Sequence, residues 1–364
     1  MIDNFLTSFP RLDGETEDGA RIQRAIDATP NGILCIPKGD YKIAKPIFIK
    51  NRCSLDMHPA ARLIAVKEMD FVITYDGNGN WHELTVYNDD GTIYDNLGLF
   101  MRGGDIDGNG KASCLLLENA HHYTISNMTF HNGKKYGLCV GGVLGGRLYE
   151  LVATNIYCKC NMSGLKGNVG ICANQCDLHF TDCFIIDYTT GVRDNGGANR
   201  YTRCHIWGGT IPPIGKTVKD WSKFYGENKK KLFAGQYSDV MEKEILSYGV
   251  PEMLQDSVAF EINSYANVID GCYADTAKIG YWLKGSDNVI TNSGSFNNKL
   301  MGLRNTVAIK NESKRVIVTN CRFANATDTD AIYEGTKESL IWQSNTVDED
   351  KVFSEYFVQR QINN

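Results

Sequence analysis

Hydrophobic and polar residues alternate in short stretches over residues 100–210 and 256–345, and helical periodicity is missing from both ranges. Each stretch is rich in β-branched and aromatic residues and is bounded by Gly, Asn or Asp, which is typical of strands between tight turns. Eight stretches share one pattern, with marker residues Asn127, Asn155, Cys183, Cys204, Cys272, Ser293, Cys321 and Asn345. The markers lie 21 to 28 residues apart, except for 68 residues between Cys204 and Cys272. Strands repeating at this spacing without helices between them predict an all-β, single-stranded parallel β-helix.

The 68-residue spacing between Cys204 and Cys272 exceeds a 21-residue coil by 47 residues. It therefore predicts an insertion at about 208–255. A long excursion from a regular coil is typically functional, so we expect either a lid or an oligomer contact. We expect one β-helix domain over 1–364, with an N-terminal cap over 1–45 and coils over 100–350.

The N-terminal cap is predicted to contain a helix that begins after Thr16. Ile22, Ala25 and Ile26 would share one face of this helix, which would end near Pro30. An uncapped solenoid exposes backbone and apolar core, so the helix is expected to close the open end of the coils.

Composition excludes several classes of function. Hydrophobic residues make up 42% of the 364 residues and the net charge is -5, so a broad surface for nucleic acid is not expected. No apolar run approaches the ~20 residues of a membrane-spanning helix. The first residues lack the pattern of a secretory signal, which predicts a cytoplasmic protein, with virion association as the alternative.

Four of the twelve cysteines occupy one repeat position. Cys183, Cys204, Cys272 and Cys321 should therefore stack inside the coils as small apolar side chains. This structural role is favoured over a zinc or redox role, and no metal site is predicted.

Two segments resemble a known family. Residues 13–51, DGETEDGARIQRAIDATPNGILCIPKGDYKIAKPIFIKN, resemble the N-terminal signature of the pectate-lyase-like superfamily of right-handed parallel β-helix proteins. GGDIDGNG at 103–110 is similar to the Gly-rich turn that opens the main coils of polygalacturonase-like members. The resemblance implies a right-handed helix and a carbohydrate ligand. The Asn-Thr-Asp, Asp-Asp, Gly-His-Gly and Arg-Ile-Lys motifs of polygalacturonases do not occur at the corresponding strand starts.

The strands that precede the markers predict a binding face. By alternation, one row of side chains points outward, and it consists of Cys139, Cys172, Arg193, Glu261, Trp282, Arg304 and Tyr333. Aromatic faces stack on sugar rings, while Arg and Glu bind hydroxyls or carboxylates. The predicted substrate-binding residues are Arg193, Asp194, Trp282, Lys284, Arg304 and Tyr333. The alternative is an exposed sheet with cross-coil ion pairs, above all Arg193 with Glu261.

A glycoside hydrolase is the first functional hypothesis, and it needs two carboxyl groups across the scissile bond. We expect Glu261 to be the general acid, because Trp282 and the insertion would desolvate it and raise its pKa. Asp275 or Asp187 would then activate water. Asp256 is a further catalytic candidate, since all three aspartates precede their strands, roughly where the family keeps its catalytic carboxylates. For each aspartate the alternative is a turn residue that caps its own backbone.

Three other functions stay open. A polysaccharide lyase would need a uronate substrate, a base such as Arg193, Lys278, Lys284 or Arg304, and aspartates that hold calcium, whereas hydrolysis needs no cofactor. Intramolecular fructosyl transfer on the same fold would use a carboxylate pair. A phage-type receptor-binding or depolymerase appendage, commonly a homotrimer, is the alternative of another class. In each case the expected partner is a poly- or oligosaccharide. Neither nucleic acid nor a membrane is expected as a partner.

Overall fold

The computed structural model describes residues 3–76, 86–87, 93–94, 99–118, 122–142, 150–208, 219–220, 223–224, 226–227, 230, 251–296, 307–324, 331–336, 340–348 and 357–359. These residues fall into two compact units. The first unit comprises Met1–Lys159, Gly170–Phe184 and Asn195–Arg200, and the second comprises Cys160–Val169, Ile185–Asp194 and Tyr201–Asn364. Most of the insertion predicted at 208–255 lies outside the described residues.

Nineteen described strands lie entirely or mostly in the first unit. They are β1 (Asn4–Phe5), β2 (Ile33–Ile36), β3 (Gly39–Ile43), β4 (Ile47–Ile49), β5 (Ser54–Met57), β6 (Ala61–Ala65), β7 (Phe71–Asp76), β8 (Val86–Tyr87), β9 (Ile93–Tyr94), β10 (Phe100–Arg102), β11 (Asp105–Asp107), β12 (Ser113–Glu118), β13 (Thr124–Ser126), β14 (Thr129–His131), β15 (Tyr136–Val140), β16 (Val152–Thr154), β17 (Tyr157–Lys159), β18 (Val169–Ala173) and β19 (His179–Thr181). All but the antiparallel pair β8–β9 lie in three parallel sheets. Sheet A has the order β1-β2-β5-β10-β13-β16-β19, sheet B the order β3-β6-β11-β14-β17, and sheet C the order β4-β7-β12-β15-β18.

Strands of the second unit form three parallel sheets as well. They are β20 (Phe184–Ile186), β21 (Thr190–Asp194), β22 (Arg200–Thr202), β23 (His205–Trp207), β24 (Val258–Ile262), β25 (Val268–Asp270), β26 (Tyr273–Asp275), β27 (Ile279–Leu283), β28 (Asn288–Thr291), β29 (Gly294–Phe296), β30 (Val307–Asn311), β31 (Val316–Thr319), β32 (Arg322–Ala324), β33 (Ala331–Gly335), β34 (Leu340–Gln343), β35 (Thr346–Asp348) and β36 (Phe357–Gln359). Sheet A has the order β22-β25-β28-β31-β34, sheet B the order β20-β23-β26-β29-β32-β35, and sheet C the order β21-β24-β27-β30-β33-β36. The predicted all-β parallel architecture is confirmed.

The predicted N-terminal helix is α1 (Gly19–Asp27), which contacts β3 and β4 of the first unit. Ile22, Ala25 and Ile26 are buried, as the periodicity predicts. Thr16 does not begin it, because the helix starts later and Glu17 accepts hydrogen bonds from the amides of its first two residues. Single 3-10 turns occur at Leu6–Ser8 and Glu252–Leu254. Among the described residues, no helix has both the length and the apolar character needed to cross a membrane.

From β13 onwards, each described corner between sheets A and B contains a single residue with positive φ. The series is Asn127, Asn155, Asp182, Arg203, Gly271, Asn292, Asn320 and Ser344. Asn, Asp and Gly tolerate this left-handed conformation best, which explains the Asn-rich repeat. Because β16 pairs with β19 so that Ala153 lies beside Phe180, Asn155 is equivalent to Asp182. Our sequence alignment therefore placed Asn127 and Asn155 one residue too early relative to Cys183.

The residue after this corner points inward. Cys183, Cys204, Cys272 and Cys321 are all buried at this position and have free thiols. In the second unit the Cys204 amide donates to Cys272 Sγ (3.3 Å), and the Cys272 amide donates to Ser293 Oγ (3.0 Å). Burial raises the pKa of the Cys321 thiol to about 11. The predicted structural ladder is confirmed.

Candidate functional site

The outer face of sheet C in the second unit carries a continuous row of large polar and aromatic side chains, which we call the sheet C row. Strand pairing aligns Arg193 with Glu261, Glu261 with Trp282, Trp282 with Lys310, and Lys310 with Glu334. Neighbouring strands lie ~4.8 Å apart, so these five side chains are adjacent despite their wide separation along the chain. The row brings together Arg193, Glu261 and Trp282 as the sequence predicted.

Of two further predicted members of the row, the structure describes only Tyr333. Arg304 lies outside the described residues. Tyr333 is fully buried and donates to the Thr336 carbonyl (2.9 Å), so the prediction that it binds substrate on the exposed face is wrong. It pairs with buried Ile309, whereas Glu334 takes the outward position. The sequence alignment slipped by one residue at this strand, and a one-residue slip turns every side chain to the other face.

Cys139 and Cys172 in the first unit were also predicted to point outward, and both are buried. Cys139 Sγ accepts a hydrogen bond from the side chain of Asn174 (3.6 Å). These thiols are therefore not part of an exposed binding face.

The Glu261 carboxylate accepts hydrogen bonds from two cations. Arg193 Nε donates to Oε2 and Lys284 Nζ donates to Oε1, each over 2.7 Å. Only 8% of the residue is exposed. Burial by itself raises the pKa of the Glu261 carboxyl, but the hydrogen bonds from Lys284 and Arg193 outweigh burial and lower the pKa. The predicted general acid with a raised pKa is therefore wrong, since this carboxyl is held as a carboxylate.

The lowered pKa of Glu261 predicts a pH-dependent contribution to stability. A carboxyl with a lowered folded-state pKa stabilises the protein above its unfolded pKa and loses this contribution as the pH falls through the folded value. We expect Glu261→Gln to be less stable than the wild type at about pH 7, and the difference to vanish as acidification protonates the wild-type carboxyl. Urea unfolding of both proteins across this pH range measures the effect, and a pH-independent difference would contradict the ion-pair assignment.

Trp282 carries two ammonium groups on its ring. Lys284 Nζ lies 3.8 Å and Lys310 Nζ 4.2 Å from the ring centroid. Each contact of this kind stabilises by roughly 0.5–2 kcal/mol, depending on desolvation. Lys310 also pairs with half-exposed Glu312 (3.0 Å). Our sequence reasoning missed Lys310, although its alternation with buried Val307 and Ile309 in β30 was the available signal.

The three candidate aspartates lie near the starts of the sheet C strands. Asp187 is fully buried at a left-handed corner, and Asp256 is exposed and pairs with Lys278 (3.1 Å). Asp275 is buried, accepts a hydrogen bond from the Thr276 hydroxyl, and lies 3.7 Å from His205 Nε2.

Asp275 is offset from Glu261 along the direction of the sheet C strands. Glu261 pairs with Trp282, the fourth residue of β27, whereas Asp275 precedes the first residue of that strand. Three strand residues span about 10 Å. This backbone offset is larger than the ~6.5–9.5 Å between the carboxyl groups of an inverting pair, so the strand register does not favour pairing Glu261 with Asp275.

Asp194 was predicted to bind substrate, and this is wrong because it points into the coil and is fully buried. Its carboxyl accepts hydrogen bonds from the Tyr201 hydroxyl (2.6 Å) and from the Ser264 hydroxyl. Two hydroxyl donors satisfy a buried carboxyl, which gives Asp194 a structural role. Within the described ranges, no three Asp, Glu, His or Cys side chains form a group that could hold a metal ion.

Comparison with known sequences finds no matching family model and no matching curated protein. Solved structures do match. The mannuronan C-5 epimerase AlgE6 A-module of Azotobacter vinelandii is 12% identical with a TM-score of 0.58, over 95% of this chain and 93% of that one. The endo-xylogalacturonan hydrolase of Aspergillus tubingensis is 12% identical with a TM-score of 0.56, over 98% and 95%.

A protein of Geobacillus virus E2, ORF18, is 14% identical with a TM-score of 0.53. The match covers 95% of this chain, which spans only 60% of the virus protein. Together with the three parallel sheets, these likenesses show the fold. The chain has the right-handed parallel β-helix fold of the pectate-lyase-like proteins, as the resemblance in its N-terminal segment implied.

Proposed function

We propose that this protein is a carbohydrate-active enzyme that cleaves a uronate-containing polysaccharide bound across the sheet C row. The observation that carries the proposal is the Trp282 ring with the ammonium groups of Lys284 and Lys310 over it. A sugar ring can stack beside them on the indole, and a sugar carboxylate can accept charge-assisted hydrogen bonds from Lys284 and Arg193. The hydrolase and the epimerase that share the fold are named for polymers of this kind, which agrees with the proposal.

Elimination fits this site better than hydrolysis. Hydrolysis needs a carboxylic acid that protonates the leaving oxygen, but both oxygens of Glu261 already accept hydrogen bonds from cations and its pKa is lowered. Elimination needs cations that neutralise the substrate carboxylate, and Arg193 and Lys284 can do so. Glu261 then acts as a positioning residue, because it fixes both cations.

The proposed step is removal of the proton on the sugar carbon next to the carboxylate. The electron pair left on that carbon forms a double bond to the neighbouring ring carbon, whose bond to the glycosidic oxygen breaks, and the leaving oxygen takes a proton from water. We assign Lys310 as the base, because it lies one coil beyond Trp282 and contacts the same ring. Its carboxylate partner, Glu312, is half-exposed, whereas Lys284 and Arg193 are held by the buried carboxylate of Glu261.

The test is incubation with a panel of polyuronates, neutral glucans and fructans. Ultraviolet absorbance of the unsaturated product and reducing ends are followed together, and both should rise with a polyuronate. Trp282→Ala should raise KM, whereas Tyr265→Ala, which removes another exposed aromatic residue of the second unit, should not. Reducing ends without absorbance would mean hydrolysis instead, and no product from any polyuronate would overturn the proposal.

A phage-type appendage that binds or depolymerises a surface polysaccharide is the second candidate, and the likeness to the Geobacillus virus E2 protein favours it. For this function we expect the protein to be a homotrimer that binds bacterial surface polysaccharide. Light scattering after gel filtration measures the oligomeric state, and a monomer that binds no such polysaccharide would exclude the candidate.

A further inference from the structure

The first unit has a concave cleft that the proposed reaction does not use. It lies on the outer face of sheet C and has a volume of about 880 Å³. This size is within the ~300–1,000 Å³ that small-molecule sites occupy. We call it the first-unit cleft, and the lining residues on which the argument depends are Phe48, Phe71, Thr74, Ser113, Leu116 and Tyr136.

Aromatic rings form much of the lining. The rings of Phe71 and Tyr136 are nearly parallel, with 7° between their planes and 6.2 Å between their centroids. Ser113 pairs with Phe71 and accepts a hydrogen bond from the Tyr136 amide (3.3 Å), so a small side chain lies between the two large ones. Phe48 is 42% exposed at the same face. Exposed aromatic surface beside a concave floor is typical of a binding site.

The rim charges of the cleft balance one another. Two acidic and two basic residues line it, namely Glu68, Asp70, Lys134 and Lys135. Lys134 Nζ donates to Glu68 Oε2 (2.5 Å), and Lys135 Nζ lies 5.0 Å from the Tyr136 ring centroid. At the sheet C row, by contrast, the ammonium groups of Lys284 and Lys310 both lie on one aromatic ring, that of Trp282. A balanced rim gives an anionic ligand no net attraction, so the ligand that fits is uncharged.

We propose that the first-unit cleft binds neutral pyranose units. The C–H face of a pyranose packs on Tyr136 and Phe48, and its hydroxyls exchange hydrogen bonds with the hydroxyls of Thr74 and Ser113 and with the charged rim. The identification of the ligand as part of a polysaccharide rests on the proposed function. The binding itself does not depend on the sheet C row, because all lining residues belong to the first unit.

Calorimetric titration of the full chain with neutral hexaoses of xylose, glucose and mannose tests this site. We expect at least one hexaose to bind, and Phe48→Ala and Tyr136→Ala each to weaken its binding by about tenfold, the size of a lost stacking contact of ~1.4 kcal/mol. Phe184→Ala is the matched control, since Phe184 is a similarly exposed phenylalanine of the same unit that does not line the cleft. Phe48 is exposed, so its substitution should leave folding intact.

The outcomes separate this inference from the proposed function. Trp282→Ala should leave neutral hexaose binding unchanged while it impairs cleavage of the uronate polymer. If no hexaose binds, or if Phe48→Ala and Tyr136→Ala bind as tightly as the wild type, the cleft is not a neutral sugar site. If the polyuronate assay fails while hexaose binding remains sensitive to Phe48 and Tyr136, the proposed reaction is wrong and this inference stands.

Discussion

Lys310→Met should lower kcat on a uronate oligosaccharide by about 10²–10⁴-fold, the usual contribution of a positioned general base. The substitution keeps an unbranched side chain over the Trp282 ring, so the loss reflects the missing proton acceptor rather than a cavity. Single-turnover formation of the unsaturated product, followed by its absorbance, measures the change.

Lys314→Met is the matched control for this prediction, since Lys314 is an exposed lysine in the turn after β30. Its rate should equal that of the wild type. A Lys310→Met protein with wild-type kcat would show that another group removes the proton, and a loss confined to KM would make Lys310 a binding residue.

Phe260→Ala should lower the free energy of unfolding by about 3–5 kcal/mol, the range for truncating a buried phenylalanine. Phe260 is fully buried, and its ring stacks on Tyr281 with 5.1 Å between centroids and 8° between planes. It also meets Tyr201 edge-on at 6.2 Å. Alanine would therefore leave a cavity inside the coils that carry the sheet C row.

Urea unfolding followed by far-ultraviolet circular dichroism measures this loss. Phe184→Ala serves as the control, because 41% of Phe184 is exposed and truncation there removes little buried surface. If Phe260→Ala and Phe184→Ala lower the free energy of unfolding equally, ring stacking inside the coils does not stabilise the second unit.

The coil pattern could be predicted because it is local. Period-2 alternation and the turn residues Asn, Asp and Gly act within one coil, and they determine strands, corners and inward positions. Arg193, Glu261 and Trp282 were aligned correctly, since their strands have the same length and the same inward neighbours. The alignment failed at Tyr333, where no local feature distinguishes one register from the register shifted by a single residue.

The chemistry of the site could not be predicted in the same way. Glu261 meets Arg193 across 68 residues of sequence and Lys284 across 23, and these contacts depend on rotamers as well as register. The sequence suggested desolvation beside Trp282 and hence a raised pKa. In the folded protein Glu261 is buried as expected. Two cations also donate hydrogen bonds to its carboxylate, so the pKa is lowered instead of raised.

The amino-acid sequence alone therefore determined the parallel coils, the turns between their strands and the buried cysteine ladder, because short-range periodicity and backbone preference specify them. The tertiary structure decided which charged groups meet on sheet C, that Asp194 points inward, and that aromatic rings of the first unit surround a cleft. Such contacts join residues of different coils, and their energies depend on distances and burial that arise only when the coils stack.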